Sequence, residues 1–385
     1  MGEISQHGVD SATLRRAVAR VDVSAIAANV ARLKDAMTGD AGICAVVKAD
    51  GYGHGIQQSA AAAVQGGADR LAVVTPSEAA LVAELGLDAP ILLLAPIPDD
   101  DLIAAVATGA ELTAWTADAI AAIARASLML DRPTKLHIKL DTGMSRFGAS
   151  TEDEALAALA AAAATDGVEP VAVWTHFATA DEPGDDYFPR QLERFTSFVE
   201  RARAEHPGLL AHAANSAALL RDPASHFDFA RPGIAIYGLD PFHRDAAAQG
   251  LRPALSLHSY VASVRPLAAG ESTGYGRRFI AQSDTRIATV PIGYGDGWRR
   301  ILTNNADVLI GGRRYPQVGT VSMDSVMVDI GAGSTIEHGT PVTLIGSDGD
   351  AQIATEEVAE RAQTINYEIT CGLTARTQRE YVNQA

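Results

Sequence analysis

Cysteine is scarce in this 385-residue chain: Cys44 and Cys371 are the only two, and no CxxC or Cys/His ligand spacing surrounds either. A disulfide framework or a structural zinc site is therefore not expected, and a reducing, cytoplasmic setting fits. Basic charge is also short. Lys and Arg number 31 against 47 Asp and Glu, a net charge of −16, which argues against nucleic acid as the main partner because such binding rests on clustered cations. No window approaches the roughly 18 apolar residues of a membrane span. The opening MGEISQHGVDSATLRR lacks the apolar stretch of an export signal, so neither a membrane partner nor export is expected.

What is present reads as an ordinary globular composition, 47% hydrophobic and 20% charged, and the length suggests two domains, one of them large. Short β-branched runs alternate with alanine-rich helical stretches, the signature of repeated β/α units. The runs fall near 43–49, 70–75, 90–96, 111–116, 135–141, 171–177, 209–215 and 229–238. Segments such as TEDEALAALAAAAA and FPRQLERFTSFVERARAEH between them read as helices, because alanine is the best helix former and Leu192, Phe195, Phe198 and Val199 share one helical face. Eight such units predict an N-terminal (β/α)8 barrel of the TIM type over 15–240, in preference to an open doubly wound sheet.

After Leu239 the rhythm changes to strands joined by glycine-containing turns, such as LSLHSYVASV, TRIATVPIGYG and TVSMDSVMVDI. This predicts a mostly β C-terminal domain over 241–385. VLIGGRRYPQV carries a Gly-Gly hairpin turn, and TEEVAERAQT reads as one interrupting helix.

In a barrel the chemistry belongs at the carboxyl ends of the strands. Lys48 follows the first barrel strand, Asp141 and Arg146 the fifth, His176 ends the sixth, Asn215 and Ser216 the seventh, and Arg231 lies at the eighth. The set offers an amine able to form an imine, cations for a carboxylate, and hydroxyls and backbone amides for a phosphate. No catalytic metal cluster, GxSxG elbow or Walker GK[ST] is found, so no metal is expected. A lysine that forms an imine, or a phosphorylated ligand held by the last two barrel loops, leads the readings, and pyridoxal 5'-phosphate satisfies both.

Here the motifs AVVKADGYGHG, KLDTGMSRFG, WTHFATADEP, ANSAALL, RPGIAIYG, YGRRF, PIGYGDG, GTVSMDSVMVDI and NYEI together resemble the pyridoxal-phosphate-dependent alanine racemase family, in the family's order and from about residue 20 to the end. The resemblance implies a (β/α)8 barrel and a β domain that also takes in the strand near 18–23. It implies that Lys48 carries the cofactor as an imine and is the base for one enantiomer. Tyr52, Asn215, Ser216, the amides of Gly233 and Ile234, and Tyr367 are implied to bind the cofactor, mainly its phosphate. Arg231 is implied to face the pyridine nitrogen. Being always charged, an arginine can only donate there, which limits how far the carbanion spreads into the ring.

The resemblance further implies that Tyr275, from the other subunit of a homodimer with shared sites, is the second base, coupled to His176 and Arg231. Arg146 and the Met323 amide are implied to clamp the substrate carboxylate, and Lys139 matches a position that is often carbamylated. Asp181, Tyr294 and Asp324 match the substrate approach. The chain departs from the family at Ser322 (more often Cys), at Thr320 (more often Arg), and at Arg376-Thr377-Gln378-Arg379 (commonly Arg-Val-Pro-Arg). These bear on channel electrostatics. The implied activity is interconversion of L- and D-alanine, feeding D-alanine to peptidoglycan. A broad-specificity amino-acid racemase of the same fold and a non-catalytic pyridoxal-phosphate-binding barrel are the alternatives.

Overall fold

The computed structural model describes residues 16–384; the export reading concerns residues almost wholly outside that range. Strand β1 (Val18–Asp22) leads into helix α1 (Val23–Asp35), whose first turn is capped by the Asp22 carboxylate accepting from Ala25 N at 3.1 Å. Eight short strands follow: β2 (Gly42–Val46), β3 (Arg70–Val73), β4 (Ile91–Leu93), β5 (Glu111–Ala114), β6 (Thr134–Lys139), β7 (Val168–Trp174), β8 (Leu210–His212) and β9 (Phe229–Ala230). They pair in parallel in the order β8-β7-β6-β5-β4-β3-β2-β9. Asp228 N donating to Ala211 O (3.0 Å) and Arg231 N donating to Ala214 O (2.8 Å) close the ring. The eight strands are those read from the sequence, and the result is a (β/α)8 barrel.

Helices alternate with the strands: α2 (Lys48–Tyr52), α3 (Ile56–Gln65), α4 (Pro76–Ala83), α5 (Leu102–Ala107), α6 (Ala117–Met129), α7 (Glu152–Ala163), α8 (Tyr187–Glu205) and α9 (Ser216–Arg221). The alanine-rich α7 and the amphipathic α8 fall where composition and periodicity predict them. Thr75 and Thr151 start α4 and α7 with reciprocal capping boxes to Glu78 and Glu154.

Two strands are shorter than their apolar runs suggest. The first barrel strand stops at Val46, because the backbone then turns left-handed. The run 229–238 is a strand only at Phe229–Ala230; Pro232 has no N–H to offer a ladder, and Ile234–Tyr237 is a 3-10 turn.

The β region contains β10 (Leu255–Tyr260), β11 (Ser263–Leu267), β12 (Ser272–Thr273), β13 (Phe279–Ile280), β14 (Thr285–Val290), β15 (Ala306–Ile310), β16 (Arg313–Val318), β17 (Val326–Asp329), β18 (Pro341–Asp348) and β19 (Ala351–Ile353). Helices α10 (Thr355–Arg361) and α11 (Asn366–Cys371) and strand β20 (Gln378–Val382) complete the chain. The main sheet runs β11-β14-β17-β16-β15-β18-β10-β1-β20, with β19 on β18. Burial alternates strictly along β10, as a strand with one covered face requires. The β15–β16 hairpin turns through Gly311 (φ 60°) and Gly312 (φ 75°) between the paired Ile310 and Arg313, two positive-φ positions that glycine fills without strain.

The chain divides into two compact units. Of the described residues, one holds Val21–Leu255, Ile365–Cys371 and 381–384; the other holds 16–20, Ser256–Thr364 and Gly372–Glu380. Helix α11 thus belongs with the barrel.

Candidate active site

Strand β2 delivers Lys48 to the carboxyl end of the barrel, where Ala49 (φ 52°), Asp50 (φ 53°), Gly51 (φ 61°) and Tyr52 (φ 52°) continue as a left-handed turn. Each non-glycine residue there costs roughly 1–2 kcal/mol, so the turn must be over-determined by its contacts. It is. Gly51 N donates to Val47 O (2.9 Å), Gly53 N to Ala49 O (3.0 Å) and Gly55 N to Asp50 O (2.8 Å). The Glu78 carboxylate accepts from Ala49 N (2.7 Å) through one oxygen and from Val74 N (2.9 Å) and Thr75 N (3.2 Å) through the other. Gly53 has φ 84°, and a Cβ there would lie 2.1 Å from Thr370 O of α11. The glycines around Lys48 let the backbone turn left-handed and let α11 approach.

Lys48 opens onto a cavity of about 490 Å³ that is also lined by Tyr52, Lys139, Arg146, His176, Asn215, Ser216, Arg231, Gly233, Ile234 and Tyr367. Every barrel-unit residue named from the sequence, Asp141 and Asp181 excepted, lines this one cavity. Burial, helped by the nearby Arg146 charge, lowers the Lys48 amine against the opposing pull of Glu78, which favours the neutral nucleophilic form.

One wall is a cradle. Asn215 caps α9 by accepting from Ala218 N at 2.9 Å, and the Ser216 hydroxyl accepts from Gly233 N (3.0 Å) and Ala235 N (3.2 Å). The Tyr52 ring stands 5.1 Å from that of Tyr237 and 6.1 Å from that of Tyr367. A Cβ on Gly233 would lie 2.3 Å from Tyr52 Oη. Burial pushes the Tyr52 and Tyr367 phenols up, so both stay neutral donors.

The opposite wall is cationic. Arg231, buried, donates from Nη2 to Thr175 O (2.8 Å) and Ala213 O (2.9 Å) and from Nη1 to His212 Nδ1 (2.8 Å); burial brings it down to about 10. Half-buried His176 lies 3.4 Å from Arg231 Nη2. Burial, then Arg231 and Lys139, hold it well below its ordinary value and thus neutral. Lys139 Nζ sits 3.8 Å above the Trp174 ring. Burial, then Arg231 and Arg146, bring its amine down to about 7, while Asp141 opposes. Asp141 shapes the Arg146 loop by accepting from Gly143 N (2.8 Å) and Arg146 N (3.1 Å).

The donor set fits a phosphorylated aldehyde cofactor such as pyridoxal phosphate. It combines the Lys48 and Lys139 amines, a cradle of hydroxyls and backbone N–H groups that a single added Cβ would fill, and the Arg231 guanidinium. Asp181 sits in the β7–α8 loop and does not line this cavity; after burial, its charge is the next cause of the raised Tyr367 phenol.

The β unit gathers Tyr275, Tyr294, Met323 and Asp324 around a separate pocket of about 690 Å³. Tyr275 is 75% exposed and Met323 50%. Thr320 Oγ1 donates to Tyr275 O (2.6 Å), Ser322 Oγ donates to Ser325 O (2.7 Å), and Arg376 pairs with Asp324 (2.6 Å). Thus Thr320 and Ser322 shape the pocket rim, and Arg376 steadies one of its carboxylates.

Sequence reasoning missed Glu78 and a set behind Arg231, namely the partly exposed Arg70 and the buried Glu111, His137 and His212. A signal existed for the latter. A barrel strand is normally filled inward with branched apolar residues, yet β6 and its end put His137, Lys139 and Asp141 at alternate positions.

Comparison with known proteins agrees with this site. The family model for the alanine racemase N-terminal domain matches residues 21–241, and that for the alanine racemase C-terminal domain matches 254–381. The chain is 40% identical over 374 residues to an alanine racemase of Symbiobacterium thermophilum, covering 96% of this chain and 97% of that one. It is 39% identical to alanine racemase 1 of Bacillus subtilis, covering 94% and 92%. The crystal structure of alanine racemase from Streptomyces coelicolor superposes with a TM-score of 0.91 at 34% identity, covering 96% of this chain and 98% of that one. That of the Bacillus anthracis enzyme with bound L-Ala-P gives 0.86 at 37% identity, covering 96% of each chain. The chain belongs to the alanine racemase family of isomerases.

Proposed function

We propose that this chain interconverts L- and D-alanine with pyridoxal 5'-phosphate by a two-base mechanism, in a cytoplasmic homodimer that supplies D-alanine for peptidoglycan. The observation that carries the reading is the barrel cavity, with Lys48 on one side, the Tyr52–Ser216–Gly233 cradle below and Arg231 opposite. Lys48 would hold the cofactor covalently. Tyr52, Ser216, Tyr367 and the amides of Gly233 and Ile234 would bind its phosphate, steadied by Asn215, and Arg231 would face its ring nitrogen. Bound there, the cofactor supplies the electron sink that acidifies the α-hydrogen of the amino acid.

The chain's own residues do the rest. Lys48, its amine lowered by burial, takes or returns the α-proton on one face. Tyr275 of the other subunit serves the opposite face, its proton shared through His176 and Arg231. The exposure of Tyr275 and Met323 on the β unit supports a role that is completed by a second chain. Arg146 and the Met323 amide bind the substrate carboxylate, while Asp181, Tyr294 and Asp324 flank the approach. Lys139, an amine brought down to about 7 by burial and by Arg231 and Arg146, would add CO2 through its nitrogen, losing one proton to give a carbamate. No helix among the described residues is long and apolar enough to cross a membrane, which is compatible with the cytoplasmic proposal.

The test is chiral chromatography of purified protein supplied with L-alanine beside serine, lysine and arginine. The expected result is D-alanine formation, abolished by Lys48→Ala. Lysine or arginine racemised as fast as alanine would overturn the assignment of alanine as substrate.

A further inference from the structure

Behind Arg231 the barrel interior is polar where packed apolar layers are usual. From the floor upward, Arg70 Nη1 donates to Glu111 Oε2 (2.6 Å), and the same oxygen lies 2.9 Å from His137 Nε2. His137 Nδ1 lies 2.8 Å from His212 Nε2, and His212 Nδ1 lies 2.8 Å from Arg231 Nη1. Glu111 is 4% exposed and both histidines 0%. Buried charge and buried imidazole of this kind are costly unless every group is satisfied.

The hydrogens in this chain are fixed by its upper end. Arginine has only donors, so His212 Nδ1 must accept and His212 must carry its proton on Nε2. That proton is donated to His137 Nδ1, so His137 carries its own proton on Nε2 and donates it to the Glu111 carboxylate. A protonated His137 would reverse the middle bond and leave two hydrogens facing each other between His212 and Arg231. Burial lowers both histidines, which keeps them neutral. Burial pushes Glu111 up, but His137 and Arg70 outweigh it and hold the carboxyl at about 2, so it stays ionised. The His212 ring also stacks on Phe229 at 4.3 Å and on Trp174 at 5.5 Å.

We infer that Glu111, His137 and His212 form a one-directional relay in which the Glu111 carboxylate, through two neutral imidazoles locked as Nε2–H tautomers, positions and polarises Arg231. The inference deepens the proposed function and rests on its reading that Arg231 faces the cofactor ring. Glu111 is a positioning residue. Its charge, shared with Arg70, gives the relay its accepting end while keeping any carboxylate off the ring nitrogen itself, so no group in direct contact with that nitrogen can accept its proton. With Nη1 committed to His212 and Nη2 to Thr175 O and Ala213 O, the Arg231 guanidinium plane is held in one orientation.

Three measurements test it. In holoenzyme labelled with 15N-histidine, nitrogen shifts and couplings should show His137 and His212 protonated on Nε2 alone from pH 6 to 9. A cationic His212, or one protonated on Nδ1, would overturn the relay without any variant. In Glu111→Gln, which keeps the shape and loses the charge, the bound cofactor's absorption band should shift in the same direction as in Arg231→Lys. Its kcat should fall roughly tenfold with KM for alanine little changed. A purely structural Glu111 would lower the melting temperature and leave band and kcat alone, which would overturn the inference. If Arg231→Lys itself leaves the band in place, the assignment of Arg231 to the ring fails, and the relay's role falls with it.

Discussion

Gly233 has no side chain, and its value lies in that. A Cβ there would sit 2.3 Å from Tyr52 Oη and 2.8 Å from Tyr52 Cζ, so Gly233→Ala must push the phenol out of the cradle. The expected outcome is roughly tenfold weaker binding of pyridoxal phosphate to the apoprotein, read by fluorescence titration; unchanged affinity would count against the cradle. Lys139 is the second telling residue. Its folded-state amine near 7 lies below the ordinary 10.5, so between those values the unfolded chain binds more protons and stability climbs with pH, the penalty being complete below 7. In carbonate-depleted buffer, Lys139→Met should therefore melt higher than the parent at pH 7 and lose that slope, as calorimetry over the window would read. Parallel curves would contradict the burial argument.

Strand ends made most of these residues legible. Lys48, His176, Ser216 and Arg231 stand out because a barrel puts chemistry at its carboxyl rim. Glu111 and His212 did not, because a polar residue inside a short strand looks like any solvent-facing one until the barrel closes around it.

Among elements, the turn after β2 is the most demanding. Its left-handed residues are held from outside by α4, whose Glu78 both closes its own capping box and accepts from Ala49 N. A hydrogen bond to a charged group is worth about 1.5–3 kcal/mol. Removing it should loosen residues 49–55 far more than the barrel. Hydrogen exchange in Glu78→Ala is expected to quicken at those amides, with the melting temperature little moved; protection equal to the parent would mean the turn holds itself. Period and composition gave the positions of α7, α8 and all eight barrel strands. They did not reveal the turn, since AVVKADGYGHG shows glycines without showing which way the chain bends. The run 229–238 looked like one strand because Ile234 and Ile236 suit a strand, while the missing N–H of Pro232 decides otherwise.

At the scale of the molecule, the proposed mechanism draws on residues of both units. The barrel unit, with α11 folded into it, holds the amine, the cradle and the guanidinium. The β unit holds an exposed phenol, Tyr275, beside Met323 and Asp324. A match to the C-terminal racemase domain over 254–381 leaves the β unit with a function that a barrel-only binding protein would not need. In the proposed mechanism, two fixed bases on opposite faces of the reacting carbon would spare Lys48 from swinging between them, and a twofold dimer would be the simplest way to bring the second base in.

Co-expression of Lys48→Ala chains with Tyr275→Phe chains tests that claim most directly. Random pairing makes about half the dimers mixed, each with one site that joins an intact lysine to an intact tyrosine, so racemase activity should return to roughly a quarter of the parent although neither variant is active alone. No recovery, with mixed dimers demonstrated in the preparation, would mean that both bases come from one chain and would contradict the shared site.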